Sequence, residues 1–168
     1  VVTGGNSGIG TETVKALASA GARVVLCSRS VEAGEKAVAD YVRGNEGGYS
    51  VPSADVRVCR LDLTDLSSVE ALAKELQSEK SIDFLVLNAG VAGGPLQHMP
   101  STGFERHMAA NHFGHFHLTS LLLPRMKAQN TPCRIVVVSS AAHQLGKIDV
   151  NDLNYKSGRK YKSYVAYS

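Results

Sequence analysis

The chain has 168 residues, 43% hydrophobic and 20% charged, with a formal net charge of +3. That suits one soluble globular domain able to bury a sizeable core. The small charge gives no electrostatic case for nucleic acid or an acidic membrane surface, and no run approaches the roughly 18 apolar residues of a membrane span.

Val1–Thr3 reads as the end of a strand. Thr3-Gly4-Gly5-Asn6-Ser7-Gly8-Ile9-Gly10 follows as a glycine-rich turn and leads into an apolar-periodic helix over 9–20. Backbone without Cβ atoms lets main-chain N–H groups approach a pyrophosphate, and the helix N-terminus behind it favours negative charge. The spacing is T-G-x-x-x-G-x-G, and a plain tight turn is the competing explanation. Gly21 suits the end of that helix.

Further strands are predicted at Arg23–Ser28, Val56–Leu61, Ile82–Leu87 and Arg134–Ser139, with helices over 31–43, 65–79 and 101–130. Strand and helix in alternation predict a parallel sheet covered on both faces. Arg23–Cys27 and Ile135–Val138 lack alternation, as expected of strands buried on both sides, and Ile135–Val138, with no strand predicted beyond it, would present an apolar open edge. Residues 44–52 read as an exposed, mobile loop, and 141–159 as loop-like. Cys27, Cys59 and Cys133 lie far apart. Cys27 and Cys59 sit in apolar runs, so buried free thiols and a reducing compartment are expected.

Ligands in an open parallel sheet sit beyond the carboxyl ends of the strands. The residues there are the glycine turn, Ser28-Arg29, Asp62-Leu63, Asn88-Ala89-Gly90 and Ser139-Ser140. Five polar or glycine signals at five strand ends are hard to assign to chance. The position where an acid usually accepts from the ribose 2′-OH is Ser28, 18 residues past Gly10, with Arg29 next. A guanidinium clamps a 2′-phosphate that an acid would repel, which favours NADPH over NADH. Arg29 as a solvated strand-end residue is the alternative. Glu32 fits the first turn of the next helix.

The motifs Thr3–Gly10, Asp62, Asn88-Ala89-Gly90, Asn111, Ser140 and Tyr167 together resemble the short-chain dehydrogenase/reductase family. Asn111–Phe116 and Arg134–Ser140 are similar to its retinol dehydrogenase and WW-domain oxidoreductase group. The resemblance covers the first half to two-thirds of such a protein. It implies a doubly wound, Rossmann-like α/β fold, incomplete at both ends of this chain, without the C-terminal strands and substrate lid. It implies cofactor contacts from Gly4, Asn6, Ser7, Gly8, Ile9, Gly10, Ser28, Arg29, Asp62, Leu63, Asn88, Ala89 and Gly90, with Asp62 near the adenine ring. Asp62 as a loop residue helping to start the helix near Asp65, and Gly90 as a simple turn, stay open. Leu87 stands where the family has an asparagine.

For the reaction, the resemblance implies Ser140, Tyr167 and a lysine four residues beyond Tyr167, past the end of this chain. An ordinary tyrosine has a pKa near 10. A nearby ammonium favours the phenolate, so tyrosine acts as general acid in carbonyl reduction and base in alcohol oxidation. Ser140 would hydrogen-bond the substrate oxygen. Asn111 would bend its helix and join a proton relay. His107, His112, His115 and His117 read as structural or surface residues, without a carboxylate close after His107, and no metal is expected. Lys156, Arg159, Lys160 and Lys162 read as a solvated loop.

The expectation is an NADP-preferring oxidoreductase of an alcohol/carbonyl pair, with a retinoid or other lipophilic aldehyde or ketone implied by the subgroup. The alternative is a non-catalytic dinucleotide-binding scaffold. Homo-oligomer formation through helices in 101–130 and around Tyr167 is expected by analogy, as is a location in or facing the cytoplasm. Membrane association stays open, since an anchor or targeting segment would precede Val1.

Overall fold

The computed structural model describes residues 1–44 and 48–168. The loop expected at 44–52 contains residues 45–47, which lie outside the described residues. Five strands, β1 (Val2–Thr3), β2 (Val24–Ser28), β3 (Val56–Arg60), β4 (Phe84–Leu87) and β5 (Arg134–Val137), form one parallel sheet in the order β3-β2-β1-β4-β5. Val2 pairs with Leu26 on one side and Val86 on the other. The chain winds outward from β1 to β3, then returns to the other side of β1 with β4. The crevice therefore lies at the β1/β4 switch point, where such sheets take their ligands.

Helices cover both faces. On one face α1 (Gly8–Ser19) and α2 (Val31–Ala37) with its π-helical extension Val38–Arg43 press Val14, Ala18, Val38 and Val42 onto Val2, Val24, Leu26 and Val86. On the other, α3 (Leu66–Glu75) and α4 (Gly114–Ala128) bring Val69, Leu72, Leu118, Leu122 and Met126 against Val25, Cys27, Cys59 and Leu85. Every residue of β2 is buried, as its unbroken apolar run predicts. Gly21 ends α1 with φ +81°, and the Ala22 N–H returns to the Leu17 carbonyl. Asp65 caps α3 by accepting from the Ser67 N–H. Cys27 and Cys59 are buried free thiols, raised by burial to about 12 and about 11.

Two expectations need correction. The helix predicted over 101–130 does not start at residue 101. Gly103 takes φ +69°, its N–H donates to the Met99 carbonyl, and His98 and Glu105 form a bridge. Helical structure follows Glu105 as a π-helical stretch, Met108–Phe113, then α4. The second correction concerns Ile135–Val138, read as buried on both sides. These four residues are 37–67% exposed, because β5 is the edge of the sheet and no helix among the described residues covers it.

A candidate dinucleotide-binding and active site

A cleft of about 840 Å³ opens at the carboxyl ends of the strands. The glycine turn forms its floor. The Gly4 and Gly5 N–H groups both donate to the Cys27 carbonyl, so β2 holds the turn. Gly4 has φ +64°, and a Cβ there would lie 2.9 Å from the Ala89 backbone. A Cβ on Gly10 would lie 2.2 Å from the Gly4 carbonyl oxygen and 2.6 Å from Asn88 Nδ2. These two glycines let two strand ends and a helix meet. The Ser7 side chain makes no capping bond to α1, which leaves the first N–H groups of that helix to an anion.

Asn88 braces the turn. Its Nδ2 donates to the Thr3 and Gly4 carbonyls at 2.9 and 3.3 Å. The Thr3 hydroxyl accepts from the Asn88 and Ala89 N–H groups, both at 3.0 Å. Asp62 Oδ1 accepts from the N–H and hydroxyl of Thr64, which fixes that loop at the cleft wall. Ser28 is buried, whereas Arg29 is exposed at the rim. Glu32 sits in the first turn of α2, as expected, and accepts from the Ser30 hydroxyl, which lowers its pKa.

Ser140 and Tyr167 line the same cleft. Ser140 caps a short 3-10 turn, Ala141–Leu145, with Oγ accepting from the Ala142 N–H at 3.1 Å. Its one hydroxyl proton can then face a substrate oxygen. Tyr167 closes α5 (Ser163–Tyr167), with its ring edge against His107. Of the neighbouring tyrosines, Tyr164 is 57% exposed and Tyr161 is tied into a buried cluster, and neither lines the cleft.

Fourteen of the sixteen expected site residues line the cleft: Gly4, Asn6, Ser7, Ile9, Gly10, Ser28, Arg29, Asp62, Leu63, Asn88, Ala89, Gly90, Ser140 and Tyr167. Gly8 and Asn111 are not on it. Gly8 starts α1 with φ +53° and serves the turn. The Asn111 amide accepts from the Val91 N–H and donates to the Val91 carbonyl, at 2.8 and 2.9 Å, so it fixes the Asn88–Gly90 segment from behind.

The sequence reading missed a buried cluster behind Tyr167. The Glu105 carboxylate accepts from the N–H groups of His107 and Met108, the Tyr161 hydroxyl and His107 Nδ1. Burial opposes its charge, yet the Met108 and His107 contacts outweigh burial and hold its pKa below the usual value. Burial and Glu105 push Tyr161 upward. The carboxylate partner of His107 is Glu105, two residues before it in sequence. The Arg106 guanidinium, also missed, lines the cleft and bonds the Gly93 carbonyl. His115 is buried against Thr3, and His117 pairs with Glu70. Arg159 is less solvated than expected, stacking on Tyr155 and pairing with Asp152.

The family model for short chain dehydrogenases matches residues 1–152. The chain belongs to that family. Human retinol dehydrogenase 12 is 44% identical over 168 residues, covering 99% of this chain and 50% of that protein. Human retinol dehydrogenase 11 is 46% identical, covering 96% and 50%. The chain therefore spans about half the length of these relatives. A crystal structure of a Mycobacterium paratuberculosis protein superposes with TM-score 0.80 at 39% identity, covering 98% of this chain and 54% of that one. A metagenomic short-chain oxidoreductase in complex with NADP gives 0.67 at 28% identity, covering 99% and 66%. A Burkholderia phymatum family member in complex with NAD gives 0.67 at 27%, covering 84% and 48%. No helix among the described residues is long and apolar enough to cross a membrane.

Proposed function

We propose that this chain supplies the cofactor half and part of the catalytic half of an NADP-preferring alcohol/carbonyl oxidoreductase. The observation carrying that reading is a single cleft that gathers the glycine cradle, Arg29, Asp62, Ser140 and Tyr167. The residues fit a dinucleotide. Gly4, Asn6, Ser7, Ile9 and Gly10 of the turn line the cleft, and the α1 N-terminus is uncapped by Ser7. Both NADP and NAD complexes occur among the solved relatives, so cofactor choice is argued from Arg29 beside the uncharged Ser28. Retinoids, or other lipophilic aldehydes and ketones, are the proposed substrate class, on the strength of the retinol dehydrogenase relatives.

When bound, the nicotinamide supplies or accepts the hydride. Tyr167 donates its phenolic proton to the carbonyl oxygen in reduction and takes it back in oxidation. Ser140 donates its hydroxyl proton to the same oxygen and stabilises the charge that develops there. Arg29, exposed at the rim, would hold the 2′-phosphate of NADP.

The test uses the natural-length protein that carries this chain. NADPH should bind more tightly than NADH, and Arg29→Ala should weaken NADPH alone. One charge-assisted contact corresponds to roughly 1.5–3 kcal/mol, about 10- to 150-fold in Kd. Equal affinities in the parent would overturn the cofactor assignment. Tight binding without turnover of any aldehyde, ketone or alcohol would leave the scaffold alternative.

A further inference from the structure

We infer that His115 is a positioning residue, a neutral latch that holds the Asn88–Gly90 side of the cofactor cradle, so that cofactor affinity depends on its ring staying unprotonated. The inference rests on the dinucleotide-binding reading and deepens it. His115 lies in the first turn of α4, is 6% exposed and does not line the cleft. Its Nε2 is 2.8 Å from Thr3 Oγ1. That hydroxyl already accepts from the N–H groups of Asn88 and Ala89.

A hydroxyl has one proton and two lone pairs. Two N–H donors use both lone pairs, so the proton must go outward. The Val86 carbonyl is 3.5 Å away, at the edge of hydrogen-bond range, whereas His115 Nε2 is at 2.8 Å. Nε2 is therefore the acceptor and carries no proton. The ring proton sits on Nδ1 and donates to the Asn111 carbonyl at 3.2 Å. Both nitrogens are thereby assigned, and the ring is neutral.

The latch ties three elements together: the end of β1 at Thr3, the end of β4 at Asn88-Ala89, and the π-helical turn at Asn111. The Asn111 amide grips Val91 independently, so the segment 88–91 is held from two sides. A proton on Nε2 would aim a third donor at an oxygen with no lone pair left. Either the ring or the Asn88-Ala89 N–H groups must then let go. Asn88 also holds the Thr3 and Gly4 carbonyls, so the glycine turn is disturbed with it. Burial lowers the pKa of His115, the Asn111 carbonyl opposes this, and His112 on the adjoining π-helical stretch adds to the lowering. The end of β1 faces the ring with the uncharged Thr3.

The experiment measures NADP⁺ binding to the natural-length protein by calorimetry from pH 5 to pH 8. His115→Gln is the conservative variant: its amide can accept from Thr3 and donate to Asn111 without titrating. Comparing it with wild type at each pH cancels the titration of the cofactor itself. The Kd ratio, wild type over His115→Gln, should be constant near pH 8 and rise about two- to tenfold at pH 5, the scale of one hydrogen bond. His115→Leu should bind more weakly at every pH. In wild type, ¹⁵N histidine shifts should report a proton on Nδ1 and none on Nε2 at pH 7.5, a readout that survives if either variant fails to fold. A flat ratio, or a proton on Nε2 at pH 7.5, overturns the latch alone. Failure of wild type to bind both NADP⁺ and NAD⁺ overturns the dinucleotide reading and the latch with it.

Discussion

Three tyrosines within seven residues illustrate how much a side chain's role depends on where the backbone places it: Tyr161 precedes α5, and Tyr164 and Tyr167 lie on it. Tyr161, Tyr164 and Tyr167 recur at i, i+3 and i+6, and sequence alone chose Tyr167 by family resemblance. The fold separates them physically: Tyr161 donates to buried Glu105, Tyr164 faces solvent, and Tyr167 lines the cleft with Ser140. In the natural-length protein, Tyr167→Phe should lower turnover by at least about 100-fold, the scale of general acid–base assistance, with cofactor affinity retained. Tyr164→Phe should be silent. Steady-state rates and NADPH titrations on the two variants decide the register, and full activity in Tyr167→Phe would remove it from the reaction. The buried partners were harder to read. Thr3 and His115 are 112 positions apart, and no local pattern reports that a hydroxyl and a ring meet across that distance.

Elements were legible where chemistry is local. The glycine turn and the Gly21 end of α1 each follow from a residue whose backbone preference matches its place. The start of the helix before Asn111 was not legible. Glu105 caps it with a carboxylate drawn in from a buried position, and Gly103 turns the chain just before. The glycine turn gives a sharp test. Gly10→Ala would press a methyl into the Gly4 carbonyl and the Asn88 amide. Overpacking of this kind costs about 1–3 kcal/mol, and the relief available is to move the turn or the strand end. Thermal melts should show a lowered Tm and no further rise on adding NADPH. A variant that melts normally and is stabilised by cofactor would contradict the cradle. At β5 the apolar run shows only that a strand suits a covered place, and its end position in the sheet leaves it the open edge expected of it. Val137 is 67% exposed on this edge, and such edges pair with other chains. Val137→Lys should reduce light scattering by residues 1–168 expressed alone. Equal scattering by the two forms would show that association uses another surface.

For the molecule as a whole, the buried titratable groups predict how folding responds to acid, and two act in separate windows. His115 has a folded pKa below its ordinary value near 6.5, mainly through burial. Its neutral form is favoured in the fold, so its contribution is complete above that value and is lost as pH falls below it. Glu105 has a folded pKa below its ordinary value near 4.5, because its backbone donors outweigh its burial. Its contribution is complete above that value and is lost as pH falls through the lower, folded one. Both losses run in the same direction, and the histidine's begins about two pH units earlier. Chemical denaturation of the natural-length protein at a series of pH values should therefore show stability declining first below about pH 6.5, then again below about pH 4.5. His115→Gln should flatten the first decline and leave the second, while Glu105→Gln should lower stability throughout and flatten the second. If the first decline persists unchanged in His115→Gln, another group takes up the proton there, and the neutral ring between Thr3 and Asn111 is not what acid disturbs.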